Sequence, residues 1–203
     1  MGTRNLTIIH SDGEYKLAQY GQWDGYPDGQ GITALRILRN MDFEVLKKKL
    51  DLITPSTNEF LKSAYLALGA DEEKLEEGSV SMKISDLFAK LHPELSRDTG
   101  VEILNILYNS EKEIWHGNQI EFAADSLFCE WAWLIDLDTM KFEGYMGLNG
   151  KLLTESDRFY FLEEKAENNY HPIRKVAEFD LNNLPTDEEF LEAFKALLEE
   201  EEE

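Results

Sequence analysis

Residues 20–31 read Tyr-Gly-Gln-Trp-Asp-Gly-Tyr-Pro-Asp-Gly-Gln-Gly, the densest gathering of potential chemistry in this 203-residue chain. Glycine lets a backbone approach a ligand closely or adopt positive φ, and proline fixes the path between such points. A ligand-facing loop would use Gln22 and Asp24 as polar anchors and Trp23 and Tyr26 as walls. A rigid turn, with Asp24 satisfying its own backbone, accounts for the glycines equally well. Arg4 belongs to the same neighbourhood. A hairpin centred on Asp12-Gly13 makes residues whose numbers sum to about 25 face each other, which sets Arg4 opposite Gly21. Its guanidinium then pairs with Asp24 or offers its fork to an anionic ligand.

The familiar catalytic patterns are absent. Residues 20–31 lack the Lys-Ser/Thr pair of the P-loop and the spacing of the dinucleotide fingerprint, and Gly144, Gly147 and Gly150-Lys151 also miss the P-loop pattern. Asp136-Leu137-Asp138-Thr139 has an Asp-x-Asp spacing used in phosphate and metal chemistry, yet it falls where a hairpin turn is expected, and Asp and Thr are ordinary turn residues. His10, His92, His116 and His171 show no metal-binding spacing. Of these, His116, between Trp115 and Gly117, has surroundings that would suit a site assembled in space. Cys129 is the sole cysteine, so neither an internal disulfide nor a thiolate cluster can form within the chain. It falls in an expected strand and reads as a core thiol. No cofactor and no metal are indicated.

Two β-rich runs, residues 6–10 and 15–20, flank Asp12-Gly13 and predict an N-terminal hairpin that feeds straight into the Gly-rich segment. Helical spacing follows in residues 33–39. Asp42 caps the next helix, and Ser56-Thr57-Asn58-Glu59 has capping-box spacing ahead of Phe60, Leu61, Ala64, Tyr65 and Leu68. Residues 71–78 read as an acidic loop, and two more helices lie near residues 84–91 and 101–108. Residues 130–137 are apolar on both faces, as in a central strand, and turn through Asp138-Thr139 into residues 141–146 as a second hairpin. Residues 174–180 form a further strand. Thr186-Asp187-Glu188-Glu189 opens a C-terminal helix whose acidic end, residues 199–203, should fray against the helix dipole. Residues 155–170 fit either strand or helix. The expectation is one α+β domain over residues 1–203, with both hairpins sharing an antiparallel sheet and helices between them and at the C-terminus.

Forty-one acidic side chains against 20 basic ones leave a formal net charge of −21. Such a chain repels nucleic-acid phosphates and is drawn to basic surfaces, including the grooves in which proteins hold nucleic acid. Asp71, Glu72, Glu73, Glu76 and Glu77 lie too close in sequence for all to be paired internally, and they are the expected partner-binding residues. There is no membrane-spanning run and no basic-plus-apolar signal pattern, so a cytoplasmic protein without direct nucleic-acid or membrane binding is expected.

The stretches Met1-Gly2-Thr3-Arg4-Asn5-Leu6-Thr7, Gln22-Trp23-Asp24-Gly25-Tyr26-Pro27 and Gly29-Gln30-Gly31 resemble a family of largely uncharacterised proteins from bacteria and their phages. The likeness covers roughly the first 31 residues and, more loosely, residues 130–145. It implies a shared N-terminal site or fold element, with no established activity. A fainter similarity to N-terminal-nucleophile amidotransferases, with their four-layer sandwich, departs at Gly2, which has no side-chain nucleophile. Together these readings lead to a non-catalytic acidic binding protein of phage or mobile-element type. It would engage a basic host protein, as an anti-defence inhibitor that mimics nucleic acid. The alternative is an enzyme or small-ligand-binding protein centred on Arg4, Gln22, Trp23, Asp24 and Tyr26.

Overall fold

The N-terminal hairpin forms where Asp-Gly directs it. β1 (Asn5–Ser11) and β2 (Glu14–Gly21) join through Asp12 and Gly13, both at positive φ. A register shift between Ile9 and His10 moves the pairing by one residue, so Asn5, not Arg4, lies opposite Gly21. Bulges of this kind depend on the surrounding sheet and leave little local signature. The computed structural model describes residues 2–166 and 169–201.

The second hairpin, β5 (Trp131–Asp136) and β6 (Lys141–Met146), joins the first in one five-stranded sheet of order β2-β1-β5-β6-β7, with β7 (Arg174–Asp180) at the far edge. Four strands therefore run as two antiparallel hairpins, but β1 and β5, which connect them, are parallel. This is an α+β fold with a mostly antiparallel sheet. The amidotransferase-like sandwich expectation is corrected, because that architecture needs two large stacked sheets. Here the second sheet is only a short parallel pair, β3 (Ile53–Pro55) with β4 (Ile114–His116).

β5 is central and buried throughout because it alternates between two cores. Trp131, Trp133 and Ile135 meet α1 (Ile32–Leu38), α2 (Phe43–Lys49), α6 (Ile103–Asn109) and α7 (Asp187–Glu201) through Leu35, Leu46, Leu104, Phe190 and Phe194. Ala132 and Leu134 meet Leu153, Phe159, Leu162 and Ile173 on the other face. That cover contains a short 3-10 stretch, Tyr160–Lys165, in the segment the sequence left unassigned.

Capping signals place the helices. Asp42 accepts the Glu44 and Val45 amides, and Thr186 and Glu189 bond reciprocally as a full capping box. Thr57 rather than Ser56 opens α3 (Asn58–Ala67) by accepting the Phe60 amide. The expected acidic loop is in fact partly helical. Asp71 caps α4 (Glu72–Glu76), and Ser81 caps α5 (Met82–Leu91). The α7 backbone stays helical through Glu201, and residues 202 and 203 of the expected frayed tail lie outside the described residues.

β2 is a sheet edge, and residues 116–119 cover it. The Ala18 amide donates to His116 Nε2 at 3.0 Å, the Gln119 amide donates to the Ala18 carbonyl, and Gln119 Oε1 accepts the Tyr20 amide. His116 is therefore a structural acceptor closing an edge strand. Burial pulls its pKa down from 6.5 to about 4. The unfolded chain takes up a proton below pH 6.5 that the folded ring refuses, so His116 makes stability fall as pH drops from 6.5 towards 4. At pH 5 this contribution amounts to about 2 kcal/mol relative to pH 7. Urea unfolding of the wild type and of His116→Gln should show that difference shrinking in the variant. An unchanged pH dependence would contradict the assignment.

Candidate functional site

The Gly-rich segment folds around a buried amide. Asn5 Nδ2 faces the carbonyls of Thr3, Gly21 and Trp23 at 3.2–3.4 Å, while the Gly25 amide donates to Thr3 and the Gly25 carbonyl accepts Trp133 Nε1. Gly31 lies so close to Trp133 that a Cβ there would stand 2.5 Å from its ring. Asp24 takes a positive φ of 58°, and its carbonyl accepts the Gln30 amide.

Among the described residues, no hydrogen bond or ion pair joins any two of the five residues expected to form one site. The Gln22 side chain accepts the Tyr20 hydroxyl, and the Gln22 amide donates to the Arg97 carbonyl. Trp23, though half exposed, donates its indole N–H to Asp98 at 2.8 Å. The guanidinium of Arg4 lies 4.6 Å from the Phe128 ring centre, and its backbone amide donates to Glu130. The expected Arg4–Asp24 ion pair is thus corrected. Asp24 is exposed, and its carboxylate has no hydrogen-bond or ionic partner among the described residues. Tyr26 lines a cleft of about 340 Å³ together with Glu130, Trp131, Gly147 and Leu148. Much of this loop therefore binds the protein's own residues 97–101, including the Val101 amide, which Gln30 Oε1 accepts.

At the opposite end of β1 lies a charged network that sequence reasoning missed. Asp136 is almost fully buried. Its Oδ1 accepts the Asp138 and Thr139 amides at 2.9 and 3.0 Å, and its Oδ2 accepts Arg158. Arg158 also pairs with buried Glu143 at 2.9 Å, which in turn accepts the Tyr145 hydroxyl at 2.6 Å and Lys175 at 3.3 Å. Burial alone would raise the Asp136 carboxyl, but the Thr139 amide and the Arg158 guanidinium overcome it and hold the pKa at about 2. Burial and the neighbouring Glu143 charge push Tyr145 upward.

His10 Nδ1 sits 3.4 Å from both Asp136 Oδ1 and Asp138 Oδ2, so three groups of metal-ligating type meet here. The carboxylate oxygens already accept other donors. Asp138 accepts the Asp12 and Gly13 amides, which binds one hairpin turn to the other. With Arg158 also on Asp136, the donor set fits a turn lock better than a cation site. The Asp-x-Asp pattern is a turn, as its residue types implied. The missed signal was Glu143, a charged residue between Phe142 and Gly144 on a strand that is otherwise largely apolar.

The acidic segment is exposed on its own short helix. Lys62 pairs with Glu72 and Glu76 at 2.9 and 2.8 Å, and Asp71 is engaged as the α4 cap. Glu73 and Glu77 have no side-chain partner among the described residues. Across α3, α4 and α5 the only buried side chain is Phe88. The module is attached by aromatic stacking of Phe60 on Trp115 and by the Gln22 and Trp23 bonds to Arg97 and Asp98.

If the Gly-rich loop anchors this module, Trp23→Phe should speed backbone hydrogen exchange in residues 93–101 by about fivefold or more while leaving β1 and β5 unchanged. A fivefold change corresponds to about 1 kcal/mol, the net worth of one lost hydrogen bond. Exchange unaltered in residues 93–101 would contradict the anchoring role.

No helix among the described residues is long and apolar enough to cross a membrane. Compared with known proteins, the chain matches no family model, no curated protein and no solved structure.

Proposed function

We propose that this is a non-catalytic acidic binding protein whose helical module, residues 58–98, docks on a basic protein surface that otherwise holds nucleic acid. The observation that carries this reading is the exposure of the module. Three helices contribute one buried side chain, and Met82, which follows the acidic residues 71–77 at the start of α5, is 81% exposed. An apolar group left in water and unpaired charge on the same module are features of a contact surface. A net charge of −21 selects a basic partner and steers it from a distance. The resemblance of the opening residues to bacterial and phage proteins is the ground for seeking the partner in a host, and an inhibitory, anti-defence role is part of the same proposal.

Glu73 and Glu77 are suited to test this because neither has a side-chain partner that its replacement would break. A basic protein captured from bacterial lysate and then purified should bind the wild type with an affinity that drops at least about tenfold as salt rises from about 0.1 M to about 1 M. The Debye length shrinks from about 10 Å to about 3 Å over that range. Excess double-stranded DNA should displace it, and Glu73→Lys with Glu77→Lys should weaken it similarly. Binding that is indifferent to salt, DNA and both substitutions would overturn the reading.

A further inference from the structure

A groove of about 370 Å³ lies between α1 and α6, with Ile37 and Asn40 on one side and Asn105, Tyr108 and Asn109 on the other. Helical spacing puts these residues on the sides of the two helices away from Leu35 and Leu38, and from Leu104 and Leu107, which face the core. Their hydrogen bonds locate the side chains. Asn40 Nδ2 donates to the Arg36 carbonyl and Asn109 Nδ2 to the Asn105 carbonyl, both at 2.8 Å, so each carboxamide lies back along its own wall. Asn105 Nδ2 donates to Glu102 at 2.9 Å. The Tyr108 hydroxyl accepts the Asp42 amide at 3.2 Å, so its ring crosses from α6 to the chain that follows α1. Ile37 and Tyr108 pack on the core yet remain partly open, and they give the groove apolar surface.

Each of the three carboxamides spends one N–H and keeps the other. No group among the described residues donates to the Oδ1 of Asn40, Asn105 or Asn109. The one charged residue that lines the groove, Arg36, is matched by Asp187, which accepts its Nε and Nη2 at 2.9 and 2.7 Å. We propose that the groove binds a neutral saccharide, whose hydroxyls pair with Asn40, Asn105 and Asn109 and whose C–H face rests on Tyr108 and Ile37. A sugar hydroxyl both donates and accepts, which matches a carboxamide that still offers an oxygen and an N–H. A charged ligand finds no free counter-ion here. The volume is near the lower end for ligand clefts, which suits a mono- or disaccharide. The groove shares no residue with the partner surface on residues 58–98, so either proposal can fail alone.

The test is an NMR titration of the full chain with methyl β-glucoside, methyl β-galactoside, methyl α-mannoside and maltose, beside cyclohexanol and methyl β-glucuronide. At least one of the four neutral sugars should bind with a Kd of about 10 mM or tighter and shift resonances of residues 33–41 and 105–109. Cyclohexanol keeps an apolar ring with a single hydroxyl, and the glucuronide adds a negative charge to a chain that already carries −21. Both should bind at least about fivefold more weakly, the worth of one hydrogen bond. Asn40→Ala and Asn109→Ala, at exposed positions, should each weaken the best sugar by about the same factor. Both variants are first checked for wild-type thermal unfolding. The proposal is overturned if no sugar binds in that range, if cyclohexanol or the glucuronide matches the best sugar, if both folded variants bind as wild type, or if the shifted resonances lie elsewhere.

Discussion

The pairing of β1 with β5 is parallel, and the fold follows from what that pairing requires. Parallel neighbours cannot be joined by a tight turn, so residues 22–130 leave the sheet and return. On the way they supply α1, α2 and α6 to cover one face. The parallel register also sets His10 beside Asp136, which brings the two hairpin turns to the same end of the sheet. Asp136 and Asp138 knit those turns together through four backbone amides. Arg158, held on Asp136 and Glu143, then fixes one wall of a cleft above β6 and β7. One buried carboxylate thus connects topology, turn geometry and the shape of a surface cleft. Its burial is tolerated because amides and a guanidinium replace water around it.

Among the described residues, the other end of the sheet is organised by hydrogen bonds rather than ion pairs. Asn5, Gly25 and Trp133 shape the Gly-rich loop, which then holds residues 97–101 through Gln22, Trp23 and Gln30. Its composition is that of a scaffold on which the exposed helical module rests. A module with so little core of its own owes its position to such attachments, and a partner that binds it would add to them.

Local chemistry was legible in the residues, and distant chemistry was not. Asp12-Gly13, the Asp42 cap and the Thr186–Glu189 box each act within a few positions, and each formed as its residue types demanded. The two-sided apolarity of residues 130–137 correctly marked a central strand. The bulge at Ile9 and His10 was invisible, because it answers to neighbouring strands, and with it went the expected place of Arg4. Arg158 lay in a segment without periodicity, so nothing in the sequence tied it to Asp136 or Glu143. The acidic segment looked like a loop because its charge concealed a short helix started by Asp71.

The central claim is that the ionised Asp136 carboxylate holds its own turn and the Arg158 wall, and through Asp138 the neighbouring turn at residues 12–13. Equilibrium denaturation of Asp136→Asn, combined with hydrogen exchange, tests it most directly. Breaking one side of a buried, hydrogen-bonded ion pair should cost about 3 kcal/mol, with faster exchange at residues 12–13 and 138–139 and in residues 153–159. A loss below about 1 kcal/mol, the scale of an ordinary surface pair, with exchange unchanged in all three segments, would contradict the account.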